Sequence, residues 1–218
     1  MKDLKEFRER FEAAVNKAGR APGAVRLLGV SKGQSIEKIE SFLAAGLPFW
    51  ALGESYLEEL VAKQTHFAAR PLPWHFIGRL QSRKIPALLE KCEVLHTVTR
   101  SKELDLFPEI ARDFFIQVNV SDEDSKNGCS PLALPELLAD VERRGLRRHC
   151  LGLMTLPSPV EDIGEARLRG QFGLLRELRD EHLPGGLLNM GTSGDFEIAI
   201  AEGADVVRVG SLLFGERS

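Results

Sequence analysis

Cysteine is scarce in this 218-residue chain: Cys92, Cys129 and Cys150 are odd in number, far apart, and without a C-x-x-C pair. That pattern excludes a disulfide framework and leaves reduced thiols as the expectation. Cys92 and His96 stand four apart, but Glu93-Val94-Leu95 between them reads as strand, so they form no helical metal pair. Nowhere are there ~18 uninterrupted apolar residues, and Met1-Lys2-Asp3-Leu4-Lys5-Glu6-Phe7 lacks the apolar run of a signal segment. A cytoplasmic protein with no membrane partner is therefore expected. Positive charge is not in excess either: 29 Lys+Arg face 32 Asp+Glu, a formal net charge of -3, which argues against a nucleic-acid partner. The one basic run, Arg143-Arg144-Gly145-Leu146-Arg147-Arg148, follows a helical pattern closed by Gly145 and reads as a solvated helix end. Aromatic residues make up only 7%, with a single tyrosine, Tyr56.

What the chain does have is enough apolar content for one core: 43% hydrophobic against 28% charged is ordinary globular composition, and no linker divides residues 1–218. Residues 2–18 read as an amphipathic helix with Leu4, Phe7, Phe11, Ala14 and Val15 on one stripe. Short strand-like runs then alternate with helical patterns. The strands are 26–30, 49–51, 74–77, 94–97, 114–120, 151–154, 187–189 and 205–209; the helices are 36–43, capped by Ser35, then 57–63, 85–91, 134–141, 163–178 and 196–202. Eight strands, each feeding a turn and usually a helix, predict an α/β fold: a single-domain TIM (β/α)8-type barrel with an additional N-terminal helix. An open doubly wound sheet would predict a Gly-rich dinucleotide fingerprint after the first strand, and Gly29-Val30-Ser31-Lys32-Gly33 is not one. Only residues 210–218 follow the last strand, so the N-terminal helix is expected to cover the wall where an eighth helix would lie.

The segment Leu27-Leu28-Gly29-Val30-Ser31-Lys32-Gly33 delivers one amine to the end of the first strand. A partly desolvated lysine can form an imine with an aldehyde, although most lysines are solvated surface charges. Barrels of this kind collect functional groups at strand C-termini and bind phosphate after the seventh and eighth strands. There stand Met190-Gly191-Thr192-Ser193-Gly194-Asp195 and Arg208-Val209-Gly210-Ser211. Taken alone, Thr192-Ser193-Gly194-Asp195 reads as a helix N-cap. Paired with Gly210-Ser211 on the neighbouring strand it makes a donor-rich phosphate cup, with Lys32 and Arg208 at the same mouth.

These segments, with Gly53-Glu54-Ser55-Tyr56, Trp74-His75-Phe76-Ile77-Gly78-Arg79-Leu80-Gln81-Ser82, Gln117-Val118-Asn119-Val120, Ser125-Lys126 and Gly152-Leu153-Met154-Thr155, make the chain resemble the YggS/PROSC family of pyridoxal phosphate-binding proteins, also called pyridoxal phosphate homeostasis proteins. The likeness extends over nearly the whole length. It implies the barrel of the alanine racemase N-terminal domain and pyridoxal 5'-phosphate (PLP) as cofactor. It makes Lys32 the Schiff-base lysine, with Ser193, Gly194, Gly210 and Ser211 at the phosphate and Arg208 facing the pyridine nitrogen. The sequence departs from the family pattern at Ser55, where Asn is usual, at Gly33-Gln34-Ser35, and at Arg83.

An arginine opposite the ring nitrogen offers no proton-sharing carboxylate, which makes the ring a weak electron sink. A racemase also needs acid–base groups on both faces of the substrate carbon. Tyr56 reads as packing over the second or third strand end with its hydroxyl at the pocket rim, and His75 reads as a satisfied core histidine. The expectation is a monomeric, non-catalytic carrier that holds PLP and passes it to apo-enzymes. A small PLP-dependent amino-acid racemase and a sugar-phosphate enzyme using the same cup are the alternatives.

Overall fold

Leu27 and Leu28 are consecutive and both buried, yet they belong to different packing layers. Alternate strand residues point to opposite faces, so Leu27 joins the layer beneath the helices while Leu28 enters the barrel interior. There it meets Ala51, Val94, Phe115, Met154 and Val206. The structure, a computed structural model, describes residues 4–107, 112–121, 123 and 126–216. Ser125 of the Ser125-Lys126 pair lies outside them.

Eight parallel strands close in sequence order: β1 (Arg26–Val30), β2 (Ala51–Glu54), β3 (Trp74–Phe76), β4 (Val94–Val98), β5 (Asp113–Gln117), β6 (Cys150–Met154), β7 (Leu187–Asn189) and β8 (Val206–Val209). The helices are α1 (Leu4–Lys17), α2 (Ile36–Ala44), α3 (Leu57–His66), α4 (Ile85–Lys91), α5 (Leu134–Arg143), α6 (Val160–Ile163), α7 (Glu165–His182), α8 (Phe196–Ala201) and α9 (Ser211–Phe214). Closure is made by β1 on β8, with Arg26 opposite Val206, Leu28 opposite Arg208 and Gly29 opposite Val209. Gly152 leaves no room for a side chain between β6 and β7, since a Cβ there would stand 2.0 Å from the Leu187 carbonyl oxygen.

Most elements differ from the sequence reading by a few residues at their ends, and three of the differences change the local structure. The second strand is not 49–51: pairing starts at Ala51 and runs to Glu54, because Gly53 and the buried acid Glu54 continue the ladder that the apolar run only introduces. β5 stops at Gln117, after which Val118 makes an isolated bridge to Cys129. The pattern over 163–178 is broken near its start by Gly164 at φ +78°, leaving α6 as a single turn before α7. Ser35 does cap α2, its hydroxyl accepting from the Lys38 N–H.

The N-terminal helix docks on α8. Phe7 and Phe11 pack around Phe196 with ring centroids 5.5 and 6.4 Å away, and Arg10 pairs with Glu197 at 3.0 Å. Through α8 the helix braces the turn after β7. Truncating the fully buried Phe196 to alanine is expected to cost about 3–5 kcal/mol, read as a lower denaturant midpoint with loss of α1 docking.

Candidate functional site

Lys32, Ser193, Arg208, Gly210 and Ser211 line one cavity of about 620 Å³ at the C-terminal end of the barrel, together with Thr192, Gln34 and the apolar Val30, Ile77, Met154 and Leu156. They come from the ends of β1, β7 and β8, which the closed sheet makes neighbours. Gly194 belongs to the same turn as Ser193 but is not part of this wall.

The two turns after β7 and β8 are tied together: the Gly210 N–H donates to Ser193 Oγ at 3.1 Å. Asp195 shapes the first of them, its Oδ1 accepting from the Thr192 N–H and, at 3.0 Å, from the Thr192 hydroxyl. The acid thus folds the turn back on itself instead of capping α8. Gly191 makes the sharp exit from β7 possible; its φ is +96° and a Cβ would stand 2.5 Å from Ala199 Cβ. The N–H groups of Ser193, Gly194 and Ser211 have no acceptor among the described residues. A side chain at Gly210 would press on the Val30 carbonyl oxygen, 3.3 Å from the Cβ position, so glycine keeps this wall thin.

Arg208 is held from below. Its Nη1 donates to the Asn189 backbone oxygen at 3.0 Å and to Asn189 Oδ1, and its Nη2 donates to the Thr155 oxygen at 2.7 Å. All these acceptors are neutral. Burial pushes the guanidinium down to about 10, which leaves it protonated at neutral pH.

A polar chain continues into the barrel. Because Asn189 Oδ1 accepts from Arg208, the amide Nδ2 faces His96 Nδ1 at 2.6 Å and donates to it. His96 then carries its proton on Nε2 and donates to His75 Nδ1 at 3.0 Å. His75 is left with Nε2–H, a buried donor with no hydrogen-bond partner among the described residues, set edge-on to Trp50 at 4.4 Å between ring centroids. The expectation of a satisfied core histidine is therefore half met. Burial lowers His75 to about 3 and His96 well below its ordinary range, so both rings are neutral.

Lys32 sits between Ser31 and Gly33, and both neighbours are tied to charged side chains. Ser31 Oγ donates to Glu54 Oε1 at 2.5 Å, and the Gly33 N–H donates to Glu59 Oε1 at 2.7 Å. The buried Lys63 joins these acids. None of Glu54, Glu59, Lys63, Asn189 or His96 was identified by sequence. The available signals were an acid ending a buried strand and an i,i+4 Glu–Lys pair on α3.

Tyr56 differs from its expected place at the pocket rim. It is 63% exposed and lies outside the cavity wall, because the extended residue that precedes α3 turns its ring to solvent. Ser55 is likewise absent from the wall. No group of three or more His, Cys, Asp or Glu side chains suited to a metal occurs among the described residues, and no helix among them is long and apolar enough to cross a membrane.

Residues 3–218 match the model of the alanine racemase N-terminal domain. The chain is 39% identical over 228 residues to the pyridoxal phosphate homeostasis protein of Aquifex aeolicus, covering 98% of this chain and 96% of the relative. It is 40% identical over 215 residues to that of Pseudomonas aeruginosa, covering 95% and 91%. Among solved structures, PipY of Synechococcus elongatus with PLP bound superposes with a TM-score of 0.75 at 28% identity, covering 95% of this chain and 99% of that one. The alanine racemase of Corynebacterium glutamicum gives 0.64 at 15% identity over 99% of this chain and 62% of its own, a likeness of fold alone.

His75 and His96 titrate in the native protein below about 6.5, where a histidine titrates when unfolded, so on acidification the unfolded chain binds more protons. Stability complete above that pH is lost as pH falls, by about 1.4 kcal/mol per unit for each ring. Denaturant midpoints should drop between pH 6.5 and 5.5, less steeply in His75→Phe, and nitrogen NMR should show both rings as the Nε2–H tautomer at neutral pH. A flat profile or an Nδ1–H ring would contradict the assigned chain.

Proposed function

Because the chain belongs to the pyridoxal phosphate homeostasis protein family, whose barrel is the alanine racemase N-terminal domain, we propose that it binds PLP as a Lys32 Schiff base and serves PLP homeostasis as a non-catalytic carrier. The observation that carries this reading is the meeting of Lys32, Arg208, Ser193, Gly210 and Ser211 on one cavity. The donor set fits the group: an amine for an aldehyde, unpaired N–H groups and two serine hydroxyls for a phosphate, and a cation held by neutral acceptors for a ring nitrogen. Bound there, the cofactor supplies an aldehyde carbon that condenses with an amine and releases water.

The protein's own groups then have separate tasks. The turn after β7 presents Ser193 and the N–H groups of Ser193 and Gly194 to the phosphate, and the turn after β8 adds the Gly210 and Ser211 side. Arg208 orients a donor toward the pyridine nitrogen and, being permanently protonated, does not share a proton with it. Lys32 supplies the amine.

A carrier is supported over a racemase by the composition of the wall, which among the described residues holds no tyrosine or histidine to act opposite Lys32 and whose one carboxylate, Glu216, is exposed to solvent. Val30, Ile77, Met154 and Leu156 supply packing, not proton transfer. Transfer to apo-enzymes and a monomeric, cytoplasmic state complete the proposal.

Wild-type protein mixed with PLP should turn yellow and, after borohydride reduction, carry the adduct on the Lys32 peptide. Lys32→Ala should lose both signals. An undiminished adduct in that variant would refute the assignment. Sustained exchange of amino-acid α-protons in deuterated water would refute the non-catalytic reading.

A further inference from the structure

Two lysine amines lie at the C-terminal end of β1, one on the cavity wall and one buried behind the turn. Lys32 lines the cavity. Lys63, on α3, is 4% exposed and places all three of its ammonium donors: on the Ser31 carbonyl oxygen at 2.6 Å, Glu54 Oε1 at 2.7 Å and Glu59 Oε1 at 2.6 Å. An ammonium has three donors and no spare lone pair. Lys63 is thereby withheld from an aldehyde while remaining next to the reactive turn.

The same three bonds bracket Lys32. Lys63 grips the carbonyl of the residue before it. Glu59 Oε1, besides accepting from Lys63, accepts from the N–H of the residue after it, Gly33, at 2.7 Å. Glu54 takes the Ser31 hydroxyl at 2.5 Å. The Ser31 N–H is in turn bonded to the Gly53 oxygen at 3.1 Å, which ties the turn to the end of β2. Gly33, at φ +67°, has no side chain to hold it, so the carboxylate bond is what fixes its peptide.

We propose that Glu59, Lys63 and Glu54 are positioning residues for Lys32: a charged clamp, reaching from α3 and β2, that fixes the peptides on both sides of the reactive lysine. This rests on the reading of Lys32 as the amine that takes PLP. The clamp removes turn disorder before the cofactor arrives, so the cost of ordering is not taken from binding. It also keeps the neighbouring amine, Lys63, engaged through all three of its donors.

The test uses the full chain with Glu59→Ala, Glu59→Gln and Lys63→Met. Glu59 is partly exposed on a helix, where alanine is well tolerated, so the first two variants should fold even if the third does not. Three quantities are read: PLP affinity by absorbance titration, amide hydrogen exchange at Gly33 in the protein without PLP, and the thermal midpoint. Loss of a charge-assisted bond predicts PLP binding about ten-fold weaker in Glu59→Ala, with faster exchange at Gly33. Glu59→Gln keeps an acceptor oxygen and should stay within about three-fold of wild type, although both variants lose the same charge. Lys63→Met, where folded, should weaken binding at least as much while borohydride still labels Lys32. Wild-type affinity in Glu59→Ala would overturn the proposal, as would equal losses in the alanine and glutamine variants that simply follow their thermal midpoints. Were the wild type to give no Lys32 adduct at all, the carrier reading would fail instead, and exchange at Gly33 would still decide whether the clamp exists.

Discussion

The pairing of the first strand with the last is the constraint on which the rest of this molecule depends. With Leu28 opposite Arg208 and Gly29 opposite Val209, the chain after β1 must run beside the chain after β8. Lys32 is thereby set against Gly210 and Ser211, although nearly 180 residues separate them in sequence. A parallel closed barrel has no edge strand, so this register cannot slip without disturbing its neighbours on either side. The N-terminal helix reinforces the closure from outside, where Phe7 and Phe11 enclose Phe196 below the turn after β7.

Inside that frame two buried cations are stabilised by different means. Lys63 is surrounded by carboxylates and fully committed. Arg208 is given carbonyl and amide oxygens, and through Asn189 a run of neutral dipoles whose acceptor ends all face the guanidinium. An uncompensated buried charge costs several kcal/mol, so each arrangement is required for the fold as well as useful to the site. The chemical outcomes diverge. The lysine is engaged by its acids, whereas the arginine donates to neutral oxygens, with the Asp195 charge acting on it only at a distance.

Much of the frame was legible along the chain. Apolar runs such as Leu27-Leu28, Leu151 to Met154 and Val206 to Val209 gave the strands, because a strand buried on both faces is apolar throughout. The small, donor-rich turns at Thr192-Ser193-Gly194 and Gly210-Ser211 stood out as well, and the barrel brings them to one cavity mouth. Local pattern failed where long-range contacts overruled it. Phe49 and Trp50 read as strand but precede it, and Gly53-Glu54 carries the ladder although an acid argues against a buried strand. Tyr56 looked like a rim residue, and only the direction of α3 turned its ring outward.

Sequence by itself determined the order of elements, a lysine just after the first strand and small, donor-rich turns after the seventh and eighth, because these follow from chemistry carried within a few neighbouring positions. The tertiary structure alone decided that Asp195 folds its own turn, that Asn189, His96 and His75 form a chain behind Arg208, and that Lys63 holds the turn bearing Lys32. Each of these depends on side chains brought from different strands into an interior where water cannot satisfy them. In that interior the partner of a polar group is set by barrel geometry, which no local stretch of sequence contains.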